Sequence, residues 1–193
     1  MSKGRLEAFS DGVIAILITI MVLELKPPHE GTWEALRPLW PVLTSYVLSF
    51  IYLGIYWNNH HHLLQAVRHV NGAILWANLH LLFWLSLVPV ATAWMGDSHF
   101  APLAVATYGV PLLLAGVAYY VLERSLIAHH PHDPTLAAAV GADVKGIASV
   151  LAYAIAIPLA FASPWASCAV YAGVAIWWLV PDRRIERALA ART

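Results

Sequence analysis

The feature that most constrains this chain is a run of 36 residues, Gly146 to Pro181, that contains no Lys, Arg, Asp or Glu. Drawn as one helix it would be about 54 Å long, well beyond a bilayer core of about 30 Å. Ser163-Pro164 stands near its midpoint and reads as a turn. The run therefore divides into two helices, each able to cross a membrane. A second charge-free interval lies between Arg37 and Arg68. Across the chain, apolar residues make up 60% and charged residues 11%, where a soluble domain carries about 25% charge. A soluble fold of this size cannot bury that much apolar surface, so the surrounding solvent is lipid. Disorder, collagen, coiled coil and an ordinary soluble enzyme are excluded.

Backbone amides have no water to pair with in hydrocarbon, which makes helices the expected elements. The predicted spans are residues 6–26, 38–62, 70–95, 100–123, 137–162 and 165–181, in a single all-α membrane domain over 1–193. Pro27-Pro28 ends the first, because proline lacks a donor and clashes inside a helix. Pro89, Pro111 and Pro158 are candidate helix breaks. An even number of spans puts both termini on one side. Nine of the 11 basic residues then share that side, leaving Lys26 and Arg37 on the other. Positive-inside bias makes the basic side cytoplasmic. Trp33, Trp40, Trp57, Trp94 and Trp165 fall near span ends, as an interfacial belt requires. The longest loop is expected over residues 123–135.

Partners and chemistry are narrowed by what the chain lacks. The formal net charge is zero, so a nucleic-acid partner is not expected. One cysteine, Cys168, allows neither an internal disulfide nor a Cys-based metal site. Ten histidines suggest metal, but no HExxH occurs, and consecutive His60, His61 and His62 fan out around a helix rather than converge. No nucleophile–base pair or phosphate-binding glycine loop appears. The reading is of no enzyme, no resident metal and no cofactor.

The first span is the most polar of the six. Intramembrane ionisable groups usually face protein or a water-filled path. At about 100° per residue, Gly12, Ile16, Thr19, Ile20 and Leu23 share one stripe within about 100° of arc. Glu24 lies beside the stripe at the outer mouth. Asp11 falls about 140° from Ile16 and points into its own bundle. The inner end of the second span carries Trp57, Asn58, Asn59, His60, His61 and His62 at the depth of Ser10 and Asp11. A single Ser10–Asp11–Asn/His network packing span one on span two is expected, since a buried carboxylate needs compensation. Geometry alone leaves open whether the stripe lines a pathway or packs on another helix.

Arg5, Phe9-Ser10-Asp11-Gly12, Ala15-Ile16, Thr19 and Leu23-Glu24-Leu25 together resemble the first-helix signature of the transmembrane protein 175 family. Trp57 with His60-His61 resembles the second-helix pattern. Asn78 through Pro89, with Thr92 and Gly96, resembles the third. The resemblance implies a potassium-selective cation channel of the prokaryotic inner membrane. It implies one six-span unit per chain, a homotetramer, and a pore lined by first helices. It further implies a hydrophobic constriction at Ile16, Ile20 and Leu23, a role in selectivity for Thr19, and a structural network of Arg5, Phe9, Ser10, Asp11, Trp57, His60 and His61. Potassium would be the permeant ion, and Glu24 would stand at the outer mouth. No Thr-Val-Gly-Tyr-Gly filter loop is present. The alternative is a proton- or cation-coupled transporter. Such carriers often show inverted repeats around a midplane site, and this chain shows no repeat and no midplane charge.

Overall fold

The computed structural model describes residues 2–67, 69–130 and 143–179. It is all-helical. Helix α1 (Lys3–Met21) continues as a 3-10 turn, Val22–Glu24. A short α2 (Trp33–Leu36) is capped by Thr32, whose Oγ1 accepts the Ala35 amide at 3.3 Å. Then follow α3 (Trp40–Gln65), α4 (Gly72–Ser86), α5 (Val88–Asp97), α6 (Pro102–His129), α7 (Val144–Ala162) and α8 (Pro164–Leu179). Five of the helical stretches described are long and apolar enough to cross a membrane, with α4 and α5 counted as one; α8, at 16 residues, is shorter.

Helix starts are set by side chains that satisfy orphan amides. Asn71 Oδ1 accepts from Ile74 N at 3.0 Å to open α4, and Asp143 Oδ1 accepts from Gly146 N at 2.9 Å to open α7. Ser163 is extended (φ −155, ψ 99) and Pro164 begins α8, so the long charge-free run turns there. The prolines differ in effect. Pro89 sits at the first turn of α5, next to the break at Leu87, whereas Pro111 and Pro158 lie inside continuous helices. Residues 123–129, expected in a loop, are the last two turns of α6. Glu123 and Arg124 are compatible with helix and mark only a change of surroundings. Residues 131–135 of the expected loop, with His132, and the start of the fifth span at 137–142 lie outside the described residues, as do residues 180–193.

Helix α6 is the hub. It packs on α4, α5, α7 and α8, while α1 touches α3, α4 and α5. Over their most apolar windows, 56% of α6 is buried against 28% of α1 and 22% of both α7 and the stretch that ends in α3, so α1, like those two, keeps an open side. Hydroxyl groups tie the hub together. Ser49 Oγ meets Thr92 Oγ1 at 2.6 Å and Tyr108 Oη at 3.0 Å. Tyr52 donates to the Tyr171 carbonyl at 2.6 Å, and Tyr171 donates to the Val105 carbonyl at 3.2 Å. In a bilayer such bonds and close-packed small residues replace the hydrophobic drive for helix association. Gly109 provides the approach for α8: a Cβ there would collide with Tyr171 Oη and come within 2.7 Å of Ile157 Cγ1.

Candidate functional site

The open side of α1 is a continuous stripe. Ile16 is 62% exposed, Ile20 48% and Leu23 73%, and Gly12, Thr19 and Glu24 are exposed with them. The opposite face, Leu6, Ser10, Ile14, Leu17 and Met21, is buried. Ile16 and Leu23 are seven positions apart, about 10 Å along the axis. The stripe is thus a strip of branched aliphatic groups, interrupted by one hydroxyl and ending at one carboxylate. Thr19 Oγ1 donates to its own helix, lying 3.0 Å from the Ala15 carbonyl and 3.1 Å from that of Ile16. Its proton is therefore committed, and its lone pairs are left to face outward as acceptors.

The buried face of α1 is anchored by a chain of three side chains. Ser10 Oγ donates to the Leu6 carbonyl at 2.9 Å and accepts from Asn78 Nδ2 at 2.9 Å. Asn78 Oδ1 accepts from His60 Nε2 at 2.7 Å, which fixes the Nε2–H tautomer. Ser10 and Asn78 are fully buried and His60 is 1% exposed. The chain links α1, α4 and α3 in that order. Asp11 is bound separately, accepting from Trp57 Nε1 at 3.0 Å. His61 stacks on Trp57 at 6.0 Å and contacts Gln65 at 2.8 Å. Two polar ties, at one level of the bundle, hold α1 so that its aliphatic stripe faces away.

Comparison with known proteins places this arrangement. The family model described as the endosomal/lysosomal potassium channel TMEM175 matches residues 5–89, a stretch containing every member of both ties. A potassium channel of Chryseobacterium sp. is 53% identical over 189 residues, covering 98% of each chain. A potassium channel of Streptomyces collinus is 33% identical, covering 91% of each. The chain belongs to the TMEM175 family. A crystal structure of a lysosomal potassium-selective channel TMEM175 homolog from Chamaesiphon minutus superposes with a TM-score of 0.78 at 29% identity, covering 92% of this chain and 96% of that one.

Against this TMEM175 fold, the expected single Ser10–Asp11–Asn/His network is corrected. It is two ties, and the asparagine comes from α4, not from the end of α3. Asn59 Nδ2 instead donates to the Ile55 carbonyl at 2.8 Å within its own helix. Asp11 reaches Trp57 because both sit at the same level on adjoining faces of α1 and α3. Phe9 is 52% exposed, and Arg5 is exposed with no side-chain hydrogen bond or ion pair among the described residues, so neither joins the anchoring chain within one subunit. Asn78 was the functional residue that sequence geometry did not pair with Ser10. Its signal was present: it is a polar amide inside an otherwise apolar stretch, Ala73–Leu79.

Proposed function

We propose that this protein is a potassium-conducting channel in which four copies assemble with their α1 stripes facing a common axis. The observation that carries the reading is the exposed α1 stripe of Ile16, Thr19, Ile20 and Leu23, set on a helix whose opposite face is fastened by polar ties. Rings of Ile16, Ile20 and Leu23 make the narrow zone aliphatic. Such a constriction gates by dewetting. An ion passing it sheds part of its water, and potassium holds its shell less tightly than sodium does, so its penalty is smaller. Thr19 contributes outward lone pairs that substitute for lost water oxygens. Glu24 raises the cation concentration at the outer mouth.

The channel lies in a prokaryotic inner membrane with both termini in the cytoplasm, as the positive-inside bias supports. The test is flux through reconstituted vesicles under potassium and sodium gradients. Wild type is expected to pass potassium in preference to sodium without saturation by a coupling gradient. Replacing Ile16→Asn is expected to raise flux of both ions and flatten the preference. Gradient-coupled, saturable uptake would instead identify a carrier.

A further inference from the structure

Away from the α1 stripe, a groove of about 220 Å³ lies between α6 and α7. It is lined by Val117 and Tyr120 on α6 and by Gly146, Ile147, Val150 and Leu151 on α7. Apart from the Tyr120 hydroxyl, its walls are apolar. Val117, Tyr120, Ile147 and Leu151 are all exposed, so the groove opens outward. Gly116, beside Val117, lets the two helices approach: a Cβ there would lie 3.1 Å from Val150 Cγ2. Helix α7 packs on α6 and α8, whereas α1 packs on α3, α4 and α5, so the groove is built apart from the supports of α1. Its volume is several times the roughly 30 Å³ that one water molecule takes up, which fits a length of chain better than a single solvent molecule.

One end of the groove is basic. Glu123 and Arg124 are the first charged residues along α6, and they mark the level at which the helix leaves hydrocarbon. Arg124 is exposed, one turn beyond Tyr120, and its guanidinium lies 4.8 Å from the centroid of that ring. Stacking uses a face of the guanidinium and leaves its N–H edges able to donate. Those edges make no hydrogen bond or ion pair among the described residues. Glu123 acts on Arg124 electrostatically, but it is buried and does not line the groove. An apolar slot at hydrocarbon depth, ending at a planar cation at the interface, matches a molecule with an alkyl chain and an anionic phosphate head.

We propose that this groove holds an anionic phospholipid of the surrounding bilayer, one acyl chain lying between α6 and α7 and its phosphate accepting from Arg124. The proposal stands independently of conduction. The experiment titrates dioctanoyl phosphatidylglycerol into the purified full-length protein in neutral detergent. Tm is read against dioctanoyl phosphatidylcholine and against sodium phosphate. A saturable rise in Tm is expected with the anionic lipid, at about tenfold lower concentration than with the zwitterionic one, as one charge-assisted hydrogen bond supplies. Phosphate alone is expected to give none. Arg124→Gln is expected to bring the two lipids to the same concentration dependence. Val117→Trp fills the groove from α6 and is expected to abolish the saturable rise with Arg124 still in place; Leu151→Trp fills it from α7 if Val117→Trp does not fold. Lys26→Gln removes a basic residue at the opposite end of the bundle and is expected to leave the preference unchanged, which separates this site from general attraction by charge. No saturable rise beyond phosphatidylcholine, a rise reproduced by phosphate alone, or a preference that survives Arg124→Gln or is lost equally in Lys26→Gln would overturn the proposal. So would a groove-filling variant that keeps the lipid response and loses its assembly on size exclusion, because a second copy would then be the occupant.

Discussion

Replacing Asn78→Leu tests the anchoring of α1 most sharply. Leucine has the same side-chain branching and heavy-atom count as asparagine, so the substitution removes hydrogen bonds without opening a cavity. Two bonds vanish, at 2.9 Å to Ser10 and 2.7 Å to His60. Ser10 keeps its donation to the Leu6 carbonyl, so its loss is limited to an interhelical bond of about 0.6 kcal/mol, the average measured in membranes. His60 is left with a buried ring N–H and no acceptor, a loss of about 1–3 kcal/mol. The sum is roughly 2–4 kcal/mol, or a fall in Tm of about 4–16 °C at 2–4 °C per kcal/mol. Ser10→Ala leaves the buried Asn78 Nδ2 group without its acceptor and is expected to cost about 1–3 kcal/mol. Combining the two should cost no more than Asn78→Leu alone, because the shared bond is lost only once. Thermal unfolding of the purified protein, followed by tryptophan fluorescence, reads all three. Full additivity of the two single variants would refute the chain of Ser10, Asn78 and His60.

Thr19→Val should reduce potassium preference, seen as a shift of reversal potential, while leaving Tm within about 1 °C, since the lost hydroxyl bonds only its own helix. Gly109→Ala should destabilise by about 1–3 kcal/mol through overpacking against Tyr171 and Ile157, whereas Gly173→Ala, with nothing within 4 Å of its Cβ, should be neutral or slightly stabilising; parallel melts compare them. Trp57→Phe should cost about 1 kcal/mol by stripping Asp11 of its indole donor, and Trp57→His, which can restore an N–H, should recover part of that loss.

Much of this fold can be read from charge and proline alone. Charge-free intervals locate the spans, and Ser163-Pro164 locates the turn between α7 and α8 because an 18-residue half suits a bilayer and the whole does not. Helix ends are less legible. Glu123 and Arg124 mark where the chain leaves hydrocarbon, yet α6 runs on to His129, since leaving lipid removes no hydrogen bond from a helix. Pro89 coincides with a break and Pro111 does not, a distinction set by packing around each site. At the candidate site, the 3.6-residue period correctly puts Ile16, Thr19, Ile20 and Leu23 on one face and Asp11 off it, because both facts are local to one helix. The partner of Ser10 is not local. It depends on α4 crossing α1 at the level of Asn78, and periodicity within α1 carries no information about that crossing. The Ser49, Thr92 and Tyr108 cluster was missed for the same reason.

The central claim, that the α1 stripe lines the ion path, is tested most directly by thiol accessibility during flux. In a Cys168→Ser background, Ile16→Cys and Leu23→Cys channels would be treated with a charged methanethiosulfonate reagent while potassium flux is recorded. Leu17→Cys, on the buried face, is the control. Rapid loss of flux for the two stripe positions and none for Leu17 is the expected result. Flux that persists at Ile16 and Leu23, or falls equally at Leu17, would contradict the account.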